Sequence, residues 1–330
     1  MKKNILKVTF PLLLALCLLL MSVSASASAE GTQVDVDLPV RVVTLNGTTG
    51  FGFAGLIAAH EAGETSLNYS FAVETDASNV TAALVSGDCD IAALPTNAAS
   101  ALYNKTGGAV QVLALNTRGV LYLVTDGSVD VSSIKDLDGQ TVYAPAQNPS
   151  FIFAALCSKN DIELDIDTSF AQPAELNTAV AAGEVGLAVL PEPMVTIARS
   201  QNPNLVVALD LTAEWDKVFT PGSLVQGCVV VRTEFAAEHP AELAAFLKDY
   251  EASVALLSED TAAAAKAIEE AGIFAKAAVA EKAIPNCNVC FVTGEEMQSQ
   301  LSAFLEIMFE KVPQSVGGAL PGDDFYCIMK

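Results

Sequence analysis

Residues 83–103, ALVSGDCDIAALPTNAASALY, lie without a gap over residues 179–199, AVAAGEVGLAVLPEPMVTIAR. Gly87 meets Gly183, Ala92 meets Ala188, Leu94 meets Leu190 and Pro95 meets Pro191. Each copy reads as a helix end, a glycine stop, a short apolar strand, a proline loop and a new helix. Just downstream, VLALN (112–116) is repeated nearly in step as VVALD (206–210). Upstream, RVVTLNGTTG runs from a strand into a Gly/Thr turn, and QTVYAPAQNPS at 140–150 is its counterpart. Strands alternating with helices build a parallel-rich sheet flanked by helices, so two copies predict two α/β lobes.

The connecting segments predict the wiring. NTRGVLYLV (116–124) carries the chain out of lobe one, and SLVQGCVVVR (223–232) brings it back after lobe two closes near Leu211. The remaining sequence changes character. EHPAELAAFLKDYEASVALL, DTAAAAKAIEEAG and EEMQSQLSAFLEIMFEKV are Ala-, Glu- and Leu-rich helices with no strand expected between them. They are expected to return onto lobe one. The division is then residues 1–29 as a leader, 30–120 with 225–330 as a discontinuous lobe one, and 121–224 as lobe two, joined by two crossing hinge segments.

The leader is read from its order of residues. Met1-Lys2-Lys3 is basic, Val8 to Met21 is almost wholly apolar, and SVSASASAE follows with small residues at alternate places. This is the pattern of a secretory signal peptide, with cleavage expected after Ala27 or Ala29. The apolar run is shorter than the ~20 residues that a bilayer span asks for. Cys17 follows Leu16, where a lipoprotein box wants a smaller residue, so ordinary cleavage is preferred over a lipid anchor. The expected location is the periplasm or the outer face of the cytoplasmic membrane. Cleavage removes Lys2, Lys3 and Lys7 and no acid, moving the formal charge from −22 to −25. A surface this acidic repels phosphate backbones and anionic lipid, which excludes nucleic acid and passive membrane binding as expected partners. Six cysteines remain, and Cys287-Asn-Val-Cys290 is the one close pair. One C-x-x-C without a second pair or a nearby His is a poor zinc site. Inert thiols are the default, with a disulfide inside the pair or to Cys327 as the alternative; no metal and no cofactor are expected.

In open parallel sheets, ligands sit at the carboxyl ends of the strands, at loops that lead into helices. Two such sheets facing each other would converge their loops on one cleft. The candidate ligand residues are Asn46, Thr48, Thr49 and Gly50 after the first strand, Thr96 and Asn97 after Pro95, Gln147 and Asn148 in lobe two, Glu192 between Pro191 and Pro193, and Arg118 at the first crossing. Thr48 or Thr49 is expected to cap a helix whose free amides face the cleft. Trp215, Phe51 and Phe53 could stack on a flat ligand, with core packing as their default. Within this region Gly50-Phe-Gly52-Phe-Ala-Gly55 spells G-x-G-x-x-G, with Glu74 about twenty residues on. A dinucleotide fingerprint needs its first glycine in the turn directly after the strand. Here Asn46-Gly47 is that turn and Gly50 falls too late, so the spacing is read as accidental.

LPVRVVTLNGTTGFGF, LVSGDCDIAALPTNAASALYN, VQVLALNTRGVLYLV, ALDLTAEWDKV and SLVQGCVVVRTEF resemble the solute-binding components of ABC importers. The resemblance runs from about Leu38 to the C-terminal SVGGALPGDDFY, in the branch related to the nitrate, sulfonate, taurine and thiamine-precursor binders. It implies the two-lobed type II periplasmic-binding fold and a monomer that captures a small organic ligand in the inter-lobe cleft. It also implies delivery, without chemical change, to an ABC permease. Pyrimidine-precursor synthases of the same fold use a cysteine-rich motif that this chain lacks.

Only two histidines exist. His60 reads as a C-terminal helix partner and His239 precedes Pro240 at a helix start; neither pairs in sequence with a plausible nucleophile. Asp88 and Asp90 in SGDCD are paired acids at a helix–strand turn, read as solvated. No catalytic residue is assigned. The alternatives are an exported enzyme on the same fold, or a sensor lobe serving a membrane receptor.

Overall fold

A computed structural model describes residues 34–329. Eleven strands form two sheets. The first contains β1 (Pro39–Leu45), β2 (Asn68–Glu74), β3 (Ile91–Pro95), β4 (Val110–Arg118), β10 (Val225–Arg232) and β11 (Val289–Val292). The second contains β5 (Leu121–Thr125), β6 (Thr141–Tyr143), β7 (Asp165–Asp167), β8 (Leu187–Pro191) and β9 (Val206–Asp210). Their orders are β11-β4-β10-β3-β1-β2 and β7-β6-β8-β5-β9.

Apart from β11, the two orders are the same pattern. In each, three parallel strands (β2, β1, β3, or β7, β6, β8) continue into one reversed strand and then a last strand that restores the direction. The reversed strand is β10 in one sheet and β5 in the other. In both cases it is the first strand laid down after the chain crosses over. The repeat seen in the sequence is thus a repeat of topology: β3 holds the same place in its sheet as β8 does in the other, and β4 the same place as β9. The matched glycines carry it at the helix ends, because Gly87 and Gly183 both stop a helix in the left-handed region, at φ 79° and 77°. The two-lobed α/β architecture with two crossings holds.

The crossings are tied to each other. Glu192 N–H donates to the Val120 carbonyl at 2.9 Å, and Val120 N–H donates to Gln226 Oε1 of the return strand at 2.8 Å. Three contacts join loops at strand ends: Asn116 at the end of β4 with Thr49 after β1, Asn148 after β6 with Asn97 after β3, and Glu192 after β8 with Val120.

The C-terminal region departs from the expectation of helices alone. Between the helices Ala277–Ala283 and Gly294–Lys311, the C-x-x-C segment feeds β11, a short strand on the edge of the first sheet that pairs antiparallel with β4. Val289-Cys290-Phe291-Val292 is too short and too ordinary in pattern to be told from a helix linker; the open edge of β4 captures it. The long helix Pro240–Glu259 packs on Ala54–Glu61, as expected for lobe one. Gly294–Lys311 reaches further and also packs on Asn148–Lys159 of the second sheet's layer. One apolar core therefore runs from β1 and β3 through Phe304, Leu305 and Met308 to Phe153, Leu156 and Trp215.

Candidate functional site

The loop after β1 is built differently from its sequence reading. The residue that caps the following helix is Gly47, at φ 81°, and no side chain caps it, so neither Thr48 nor Thr49 is the cap. A left-handed φ favours glycine, whereas threonine is β-branched and strained there. The helix Thr48–Phe51 is a single turn, interrupted before Ala54–Glu61 begins. The Gly50 amide donates back to the Gly47 carbonyl at 2.9 Å, and the Thr49 carbonyl accepts from Asn116 Nδ2 at 3.0 Å. Asn46 is exposed, and Thr48 and Thr49 are half-buried.

The three glycines of G-x-G-x-x-G are close-approach positions, but the approaching partner is the protein itself. A Cβ on Gly50 would strike the Leu45 carbonyl and meet Ile273 Cγ2 at 2.9 Å. One on Gly52 would meet Tyr250 Oη at 2.6 Å, and one on Gly55 would meet Ser253 Oγ at 2.9 Å. Ser253 fixes this contact by donating to the Gly52 carbonyl at 2.6 Å while accepting from Leu56 N–H at 2.8 Å. Gly52 and Gly55 serve helix packing against Pro240–Glu259, and Gly50 the close fold-back onto Leu45 and Ile273.

The loops after β3 and β6 do meet across the lobes. Asn97 opens the helix Thr96–Thr106 and Asn148 opens the helix Asn148–Lys159. Asn148 Nδ2 donates to Asn97 Oδ1 at 2.8 Å. The other end of Asn97 donates to the Ser315 carbonyl at 3.3 Å, so the C-terminal tail holds the amide in the orientation that accepts from lobe two. Asn148 Oδ1 is buried with no hydrogen-bond partner. Thr96 is fully buried, and its hydroxyl donates to the Val225 carbonyl at 2.8 Å, which ties β3 to the return strand. Gln147 is exposed at φ 66°, its carbonyl taken by Phe151 N–H and Ser150 Oγ. Arg118 lies at the end of β4, with Nη2 3.7 Å from Glu296 and its N–H donating to the Asn288 carbonyl. Its cation sits beside the Cys290 thiol, whose pKa burial nevertheless lifts to about 11. Burial also raises the Cys287 thiol well above its ordinary pKa, and all six cysteines of the described residues are free thiols.

Glu192 lines a cavity between the two layers. Only 4% of the residue is exposed, and its carboxylate accepts from Thr196 N–H at 3.1 Å and Thr196 Oγ at 3.0 Å. Burial raises its pKa, with the Thr196 bonds, the nearby Arg199 and the Asn286 side chain opposing. One part of its work is therefore local: it satisfies an orphan amide in the first turn of Met194–Gln201. The same carboxylate lines a cavity of about 540 Å3 with Tyr122, Thr196, Arg199, Lys282 and Asn286. Tyr122 and Arg199 belong to the second sheet's layer, whereas Lys282 and Asn286 belong to the C-terminal segment packed on the first. Tyr122 Oη donates to the Asn286 carbonyl at 2.8 Å, a second bond between the layers. Arg199, Lys282 and Asn286 were not foreseen. They are exposed, carry no motif, and meet Glu192 only because the fold brings residue 286 beside residue 122.

A family model described as the substrate binding domain of ABC-type glycine betaine transport system, OpuAC, matches residues 70–284. The chain belongs to this family. No curated protein sequence matches it. Among solved structures, an ABC transporter from Parabacteroides distasonis is 25% identical, with a TM-score of 0.76 over 89% of this chain and 100% of that one. The periplasmic aliphatic sulphonate binding protein SsuA of Escherichia coli is 13% identical, with a TM-score of 0.67 over 86% and 97%. The ligand binding component of an ABC-type import system from Staphylococcus aureus is 14% identical, at 0.64 over 88% and 96%. These two show the same fold. The resemblance read from the sequence thus leads to a substrate-binding component of ABC-type transport.

In this OpuAC member the aromatic candidates are committed to packing. Trp215, Phe51 and Phe53 are each fully buried. Trp215 Nε1 donates to Ser223 Oγ at 2.9 Å, and its ring lies 4.2 Å from Phe219 and 6.1 Å from Phe304. Asp90 is not solvated as expected: it is 2% exposed and bridges Arg41 and Arg232, with Nη2–Oδ1 distances of 2.6 and 3.2 Å. The strand starts of β1 and β3 and the end of β10 converge there, away from the cleft, and bury the acid between two arginines. His60 pairs with Thr65 Oγ at 3.0 Å, while His239 faces Glu238 and Glu242. Among the described residues no helix is long and apolar enough to cross a membrane.

Proposed function

We propose that the chain is exported through its leader and works as a monomer outside the cytoplasmic membrane. There it captures a small organic ligand between two lobes, residues 30–120 with 225–330 and residues 121–224, and passes it unaltered to an ABC permease. The single observation that carries this reading is the direct Asn148–Asn97 hydrogen bond between a strand-end loop of one half and a strand-end loop of the other. Such a bond forms only when the lobes are apposed. A ligand that touches both sides would shift the population toward that state, and the apposed surface is what a permease could recognise. Asn46, Thr48, Thr49, Gly50, Asn97, Arg118, Gln147, Asn148 and Glu192 remain the proposed ligand-facing set, with Thr96 supporting them through the Val225 carbonyl.

Binding without turnover is favoured over an exported enzyme, because the one hydroxyl bonded to His60, that of Thr65, gives its proton to the Leu67 carbonyl, and His239 faces Glu238 and Glu242. Native mass spectrometry of the freshly purified protein tests the reading. A stoichiometric small molecule, recovered with its mass unchanged after incubation, is expected. A bound molecule that leaves chemically altered would move the protein to the enzyme class. A sensor would bind alike but would not stimulate uptake in vesicles carrying the cognate permease.

A further inference from the structure

We propose that residues 284–292 form a third strand of the hinge, in which Asn288 anchors the first crossing and Asn286 latches lobe two. This rests on the solute-binding reading and assigns two residues that position the lobes from outside both crossings. Asn288 Nδ2 donates to the Gly119 carbonyl at 2.6 Å, and the Asn288 carbonyl accepts from Arg118 N–H at 3.0 Å. Just before it, the Asn286 carbonyl accepts from Tyr122 Oη at 2.8 Å. The two side-chain bonds join positions 164 and 169 residues apart in the chain. In the first sheet β4 lies between β11 and β10. That order continues past the end of β4, where Val120 N–H donates to Gln226 Oε1 of the return strand while Asn288 holds Gly119 and Arg118. The first crossing is thus the middle strand of three. A Cβ on Gly119 would strike Thr212 Oγ and meet Leu224 Cγ at 2.9 Å, so the crossing has no slack in which to bend alone.

The backbone of Asn288 marks the anchor. Its φ of 45° is in the left-handed region, which among the described non-glycine residues only Gln147 and Asp161 share. That conformation is strained for a residue with a Cβ, and asparagine is one of the few enriched there. Glycine would take the turn more freely but has no amide to give Gly119. Asn286 makes a different kind of contact. Tyr122 belongs to β5 of the second sheet, and the Asn286 side chain also faces the Glu192 carboxylate of the same layer, opposing the rise in pKa that burial imposes. Tyr122 and Glu192 are buried, whereas Asn286 is exposed at the cavity rim. Its bonds exchange for water at little net cost when the layers part, while those of Asn288 stay within the crossing. The anchor keeps the crossing in place, and the latch holds the empty lobes together. A contact that favours the apposed state raises the apparent affinity of any ligand needing that state, without touching the ligand.

The test uses the full mature chain, freed of any carried molecule by unfolding and refolding, with parent and variants treated alike and no ligand added. Hydrogen exchange with mass spectrometry follows peptides across 116–124 and 284–292, and X-ray scattering gives the radius of gyration. Asn288→Gly keeps the left-handed turn and removes only the side-chain donor. Exchange across 116–120 is expected to quicken about fivefold in that variant, the scale of one net hydrogen bond, with the radius unchanged. Tyr122→Phe removes the donor to the Asn286 carbonyl, and Asn286→Ala removes the side chain facing Glu192. The double variant Tyr122→Phe/Asn286→Ala is expected to enlarge the radius while exchange across 116–120 stays as in the parent. Tyr122→Phe alone, which keeps the ring, serves if the double variant does not fold. Unchanged exchange in Asn288→Gly overturns the anchor. An unchanged radius in the latch variants overturns the latch, and a lower melting temperature with that unchanged radius would show the contacts to be packing only. None of these outcomes bears on whether the protein carries a solute, which native mass spectrometry of the fresh protein reads by itself.

Discussion

The two flanks of the inter-lobe junction are made of different matter. On one, Trp215 and Phe219 of lobe two's last helical segment pack against Phe304 of Gly294–Lys311, with ring centroids at 4.2 and 6.1 Å from the indole. Lys311 Nζ reaches Ser158 Oγ at 3.0 Å beside it. On the other, Met194–Gln201 faces Ala277–Ala283 across a cavity of mixed lining, where Val195, Pro203 and Val207 stand beside Glu192 and the exposed rim residues Arg199, Lys282 and Asn286. The apolar flank loses buried area if it parts, at roughly 25 cal/mol per Å2. The mixed flank exchanges a few hydrogen bonds for water at little net cost. Opening is therefore expected to swing about the Trp215–Phe304 seam, with the Glu192 flank as the mouth.

Substitutions that separate the flanks sharpen this contrast. Trp215→Ala should have the largest effect, about 3–5 kcal/mol of stability lost in chemical denaturation, with ligand-free and ligand-bound protein affected alike. Thermal parting of the lobes before global unfolding in that variant, seen as a separate early transition, would confirm the seam as the hinge. A loss under 1 kcal/mol would show the seam to be incidental.

Glu192→Ala comes next. It orphans the Thr196 amide as well as removing the charge, so a loss of about 1 kcal/mol in the empty protein is expected, where Glu192→Gln should lose little. The comparison has a pH signature. Burial raises the folded-state pKa of Glu192 above its unfolded value. Its folded form thus holds a proton more tightly, an advantage present below the unfolded pKa and lost as pH rises through the folded pKa. Glu192→Gln should gain stability relative to the parent as pH rises from 4 to 8; a constant difference would mean the carboxylate is better solvated than its burial implies.

Asn148→Ala breaks the contact between the loops and should cost about 1 kcal/mol or less. Its clearer readout is solution scattering, where the ligand-free variant should show a larger radius of gyration than the parent; an unchanged radius would mean the amide pair does not hold the lobes. Lys282→Ala should be smallest, within about 0.5 kcal/mol in the empty protein, because the side chain is exposed.

Much of the architecture was legible beforehand. The gapless match of 83–103 to 179–199 corresponds to β3 and β8 occupying the same place in two sheets of one pattern. Gly87 and Gly183 could be read as helix stops because only a residue free of Cβ strain suits the left-handed cap. The loops that meet across the lobes were legible as strand ends entering helices. What misled was local chemistry. Thr48 and Thr49 look like caps, but Gly47 takes that place. Thr96 looks like a ligand group, but a strand 129 residues away claims its hydroxyl. Val289–Val292 carries too short a pattern to announce an edge strand.

By itself the sequence determined the duplication, the crossings, the glycine stops and the strand ends from which a cleft is made, since these follow from apolar periodicity and backbone preference over short stretches. Only the tertiary structure decided which flank is sealed by aromatic packing and which carries the charged rim, and that Lys282 and Asn286 share a cavity with Glu192. Those features depend on contacts between segments about ninety to a hundred and sixty residues apart, and no local pattern of residue types encodes such a meeting.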